Sequence, residues 1–134
     1  MTPHWVKPCI KLGGWLAILT IAVLSLVPGE IRPHTLSISQ LEHVIAYAIT
    51  GALLAAGYPI LSQRIIIVVG LTCYAGILEI VQLWVPGRTS KIIDLVAGSS
   101  GTLAGVLLVM ALQSWLFRTA EHRPAHPSSK LQQR

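Results

Sequence analysis

Residues 65–85 read IIIVVGLTCYAGILEIVQLWV. The stretch opens on β-branched residues, as a strand would. At about 21 residues, however, it is roughly twice the length of the longest usual strands. A helix of that length, rising about 1.5 Å per residue, spans the roughly 30 Å hydrocarbon core of a bilayer. Its one charged residue is Glu79, and it is flanked by Ser62-Gln63-Arg64 and by Pro86-Gly87. The reading is a transmembrane helix, and the remainder of the chain repeats the pattern.

Upstream, Leu12 to Val27 is apolar over about 16 residues and follows Lys7 and Lys11, a pattern that a signal peptide shares. No small-x-small cleavage motif follows it, so it is read as an uncleaved first span that closes at Pro28. A link from Gly29 to Gln40 lies outside the hydrocarbon. The second run extends from Leu41 to Leu61 and stops at Ser62-Gln63-Arg64, and a fourth runs from Ile92 to Phe117. The predicted fold is therefore an all-α membrane protein, a four-transmembrane-helix bundle with helices at about 12–28, 41–61, 65–85 and 92–117. The bundle domain covers residues 1–117, and the basic tail 118–134, with Pro124 and Pro127 and no apolar periodicity, is predicted to be disordered.

Composition agrees with this reading. Of 134 residues, 53% are hydrophobic and 11% charged, where a soluble domain carries about a quarter charged residues. No length remains for a soluble catalytic domain. The net charge of +5 is not interleaved with exposed aromatics, which argues against nucleic acid as a partner. Four spans put both termini on one side. Lys7, Lys11, Arg64, Arg118, Arg123, Lys130 and Arg134 gather at that side, against Arg32, Arg88 and Lys91 at the other. Positive residues mark the cytoplasmic face, so both termini are predicted to be cytoplasmic in a multi-pass protein of the bacterial cell membrane, with the tail touching anionic lipid. Cys9 and Cys73 fall at different depths, so no disulfide is expected; both read as inert side chains, with a lipidated Cys9 as a minor alternative.

Against this background Glu79 and Gln82 are costly, since a carboxylate deep in a span is disfavoured by around 2.5–3.5 kcal/mol. Glu79 sits about 10 Å inside the end of its helix at Pro86, and Gln82 is one turn further out on the same face. His43 and Tyr47 share a face at the start of the second helix. Asp94 opens the fourth helix, and Arg88 stands just before it. Helix direction alone brings these groups from three segments to one side of the membrane, the extracytoplasmic side in the orientation above. In the fourth helix, Gly98, Gly101 and Gly105 form a small-residue stripe suited to close packing within the bundle, or to an oligomer interface. Ser99 and Ser100 can bond to carbonyls of the preceding turn and need no functional role.

Leu24-Ser25-Leu26-Val27-Pro28, His43-x-x-x-Tyr47, Glu79-x-x-Gln82, Pro86-Gly87-Arg88 and Asp94-Leu95 with Gly101 downstream, in that order and spacing, resemble the VanZ-like family of small bacterial membrane proteins. The resemblance extends to Phe117. It departs from the family pattern where Ser39 and Gln40 stand in place of Asp-Lys, and where Gly98 stands in place of an asparagine. The family's founding association is with resistance to the glycopeptide teicoplanin, which implies a role in the cell envelope without naming a molecular activity.

Two readings of the polar cluster stay open. In one, Arg88 pairs with Asp94 or Glu79, Gln82 and Tyr47 complete the hydrogen bonds, and the whole pins helix ends together. In the other, it is an extracytoplasmic polar pocket in which Arg88 holds a phosphate or carboxylate of a lipid-linked or peptidoglycan-type ligand. A membrane-embedded hydrolase or transferase with Glu79 and His43 as acid and base is the enzymatic alternative, and a small transporter or assembly subunit the third. No nucleophile motif, phosphate loop or dinucleotide fingerprint is present, and no catalytic residue is assigned. No cofactor is assigned either. A metal on His43, Glu79 and Asp94 is chemically feasible, yet no tight histidine or cysteine spacing supports one.

Overall fold

The computed structural model describes residues 5–28, 39–88 and 90–121, and these form four helices and no strand. The link from Gly29, Thr89 and the tail beyond Glu121 lie outside the described residues, as do Arg32 and the side chain of Ser39.

α1 covers Val6–Leu26, α2 Ser39–Gly57, α3 Leu61–Gln82 and α4 Ile92–Glu121. Each boundary has a local cause, and several differ from the sequence expectation. α1 starts six residues before Leu12 because Pro8, lying within the first turn, leaves no needed N–H unsatisfied there. α2 ends at Gly57 rather than Leu61, since Pro59 cannot continue it; Tyr58 N–H closes the helix on the Leu54 carbonyl at 2.8 Å. The α2–α3 link is thus Tyr58 to Ile60, and Ser62, Gln63 and Arg64 are not the link but the first turn of α3. α3 finishes in tighter i to i−3 bonds at Leu83, Trp84 and Val85. A turn follows in which Arg88 N–H meets the Val85 carbonyl at 3.2 Å and Gly87 takes φ 71°, the left-handed value that a type II turn with proline before it requires. α4 carries on past Phe117 to Glu121, four residues into the stretch that the sequence assigns to the tail.

Glycines set how the helices meet. At Gly51, a Cβ would lie 2.8 Å from the Thr102 carbonyl oxygen, and at Gly101 and Gly105 it would collide with the backbone carbonyls of Val44 and Ala48. Since 44 faces 101 and 48 faces 105, α2 and α4 run parallel, backbone against backbone, and form the most extensive contact in the bundle. α1 lies antiparallel to α2, with Gly14 under Leu54 and Gly57 against Lys11. α3 lies parallel to α1: Tyr74 Oη donates to the Ile18 carbonyl at 2.8 Å, and Gln82, further along α3, meets that of Ser25, further along α1. The core is small, built on Ile21, Tyr47, Leu54, Leu71, Ala75 and Leu78.

The outer surface is apolar instead of polar. Ile66, Trp84, Ile92 and Phe117 are among many large hydrophobic side chains left exposed, and at most 33% of any of the apolar helices is buried. Such a surface suits hydrocarbon and not water. α1, α3 and α4 are each long and apolar enough to cross a membrane. α2, which carries Gln40, Glu42 and His43 in its first turns, packs against all three others, as α3 also does. Cys9 and Cys73 are free and face outward.

Candidate functional site

The end of the bundle where α2 and α4 begin and α3 finishes gathers the polar residues that the sequence singled out, and it sorts them into two groups. Glu79 and Asp94 are 8% and 7% exposed, with His43 half-buried beside them. One ligand-type atom from each of the three lies within 4.8 Å of the other two, from α3, α4 and α2 respectively. Glu79 Oε2 accepts hydrogen bonds from the Ser90 hydroxyl at 3.1 Å and from the Lys91 backbone N–H at 2.9 Å, so the α3–α4 link folds back over the carboxylate and fixes it. Asp94 Oδ1 is buried and accepts no hydrogen bond among the described residues. Among the described residues, these three could hold a metal.

The second group points elsewhere. Arg88 Nη2 donates to the carbonyl oxygens of Leu24 and Ser25, each at 2.8 Å, and Gln82 Nε2 donates to that of Ser25 at 3.1 Å. Leu24 and Ser25 are in the last turn of α1, whose carbonyls lack partners in their own helix. Arg88 and Gln82 therefore cap α1 from the side. These contacts tie them to the α1 backbone.

Tyr47 is 2% exposed and packs in the core. Its ring occupies the space above Gly98, where an added Cβ would stand 3.2 Å from two ring carbons. Gly101 and Gly105 face α2 of the same chain. Ser99 and Ser100 bond to the Leu95 and Ala97 carbonyls, as expected of them.

A family model described as VanZ/LLP1 matches residues 11–116, a range that takes in α2, α3, most of α1 and α4 and every residue of this cluster. The chain belongs to that family. No curated protein and no solved structure matches it. With its apolar helices, this VanZ/LLP1 chain is a membrane protein.

Two polar features of the VanZ/LLP1 chain escaped the sequence reading. Ser90 and Lys91 hold Glu79, and Lys91 does so through its backbone, which no residue type signals. At the opposite end of α3, about 22 Å away at 1.5 Å per residue, Arg64 is 7% exposed. Its Nη2 donates to the Ala55 carbonyl at 3.3 Å and to the Gln113 side-chain oxygen. The signal was present, since a charge five residues after Pro59 falls inside the next helix. A cavity of about 450 Å³ near that end is lined by apolar residues including Ile18, Leu54, Ile67 and Leu71, and by none of the polar cluster.

Proposed function

We propose that this VanZ/LLP1 protein crosses the bacterial cytoplasmic membrane four times, with both termini cytoplasmic, and that His43, Glu79 and Asp94 form a site on its outer side for a lipid-linked or peptidoglycan-type component of the cell envelope. Through that ligand it alters susceptibility to glycopeptides such as teicoplanin. The observation that carries the reading is Asp94, a carboxylate more than nine-tenths buried with an oxygen that accepts no hydrogen bond among the described residues. Ionisable groups kept at membrane depth mark ligand pathways.

The orientation rests on basic residues. Arg64 and Arg88 are spent on contacts within the protein, yet Lys7, Lys11, Arg118 and the tail still outweigh Lys91 and Arg32. The scaffold reading is favoured for Arg88 and Gln82 alone, since both hold the α1 backbone.

The test is complementation. In a host whose own gene is deleted, Glu79→Gln and Asp94→Asn proteins present at wild-type level are expected to leave the glycopeptide phenotype uncorrected. Full correction by both would remove the site from the account.

A further inference from the structure

We infer that His43, Glu79 and Asp94 bind a divalent cation of the borderline class, Zn2+ foremost. This deepens the reading above and rests on it only for what the bound ion would hold.

The three ligand-type atoms come from three helices and lie within 4.8 Å of one another. Around tetrahedral zinc, with bonds of about 2.0–2.2 Å, ligands sit about 3.3 Å apart, so the widest pair closes by about 1.5 Å at most. Side-chain rotation covers that. Asp94 supplies the independent sign of a missing counter-charge: its Oδ1 is buried and has no hydrogen-bond partner among the described residues, a condition native proteins seldom leave without an ion or water. Glu79 adds the support expected around a ligand, because both of its hydrogen bonds, from Ser90 and Lys91, fall on Oε2 and hold the carboxylate in one orientation.

The donor set chooses the ion. One imidazole nitrogen with two carboxylate oxygens suits Zn2+ or Mn2+; Mg2+ and Ca2+ prefer oxygen alone, and Cu(I) prefers sulfur. Both cysteines lie outside the cluster, exposed on the bundle surface. Three protein ligands leave a fourth position open, the arrangement of zinc sites that engage a ligand. A phosphate oxygen of an envelope component is the group of fitting charge for it. Sequence spacing could not show such a site, because its ligands lie on different helices.

The experiment uses the full chain without an affinity tag, in lipid nanodiscs, stripped with a chelator and equilibrated with ZnCl2. Metal analysis is expected to find one Zn2+ per chain, a higher melting temperature with zinc, and affinity at least about tenfold weaker in Glu79→Gln and Asp94→Asn. Cys9→Ser/Cys73→Ser should bind like wild type. Stripped protein that takes up no zinc, or Asp94→Asn protein that binds it undiminished, overturns the inference. Should a variant fail to fold, CoCl2 added to wild type decides, with visible bands that zinc abolishes supporting the site and their absence overturning it. Vesicles bearing a polyprenyl phosphate separate the two readings. Zinc bound with no effect of those vesicles rejects the envelope ligand and keeps the metal, and phosphate lipid retained by protein that takes up no zinc rejects the metal and keeps the ligand.

Discussion

The Arg88 guanidinium meets the Ser25 carbonyl oxygen at 2.8 Å, across 63 residues of chain. Gln82 reaches the same oxygen at 3.1 Å. The last turn of α1 is therefore closed by the end of α3 and by the turn that follows it, and the type II geometry at Pro86-Gly87 aims Arg88 there. Arg88, an arginine of the family pattern that looks like a ligand clamp in sequence, holds the last turn of α1 through these contacts.

Removing that cap has a predictable cost. Arg88→Ala should destabilise the protein by about 1–3 kcal/mol, the range for hydrogen bonds to a charged group and for buried carbonyls left without donors. Gln82→Ala should cost less, because Arg88 still serves Ser25. The double variant should be non-additive, since both residues share one acceptor. Thermal unfolding in detergent of the two single variants and the double variant measures this, and strict additivity would contradict the shared cap.

The parallel α2–α4 contact tolerates no added carbon at Gly101 or Gly105, because the obstacles are the Val44 and Ala48 backbone carbonyls and cannot rotate away. Gly101→Ala and Gly105→Ala are expected to lose about 1–3 kcal/mol or more and to lower the folded yield. Gly70, with nothing within 4 Å of its would-be Cβ, is the contrast. There alanine should be neutral or add about 0.5–1 kcal/mol through helix propensity. Equal effects at all three positions would mean the helices do not meet as described.

How much of this could be read from residues alone differs by feature. The long apolar runs gave away the helices, and helix direction was enough to bring His43, Glu79 and Asp94 to one end. Boundaries were harder, because apolar Ile60 and Leu61 disguised the break that Pro59 imposes, and with it the burial of Arg64. The destination of Arg88 was beyond reach, since its partners are backbone carbonyls of Leu24 and Ser25, and a carbonyl carries no residue-type signal. The hold of Lys91 N–H on Glu79 was hidden for the same reason.

Orientation is open to chemical labelling. In a Cys9→Ser/Cys73→Ser background, Lys91→Cys and Ser62→Cys each place one thiol at an exposed position, at opposite ends of the bundle. A membrane-impermeant maleimide applied to intact cells is expected to label Lys91→Cys and to reach Ser62→Cys only after permeabilisation. The reverse pattern would invert the protein in the membrane and move the site to the cytoplasmic face.

The central claim is that the buried carboxylates of α3 and α4 hold an envelope ligand. Native mass spectrometry of the protein ejected directly from its own membranes tests it most plainly. Wild type is predicted to carry a phosphate-bearing, lipid-linked adduct that Asp94→Asn and Glu79→Gln lose while staying folded. The same adducts on all three proteins, or none on wild type, would contradict the claim.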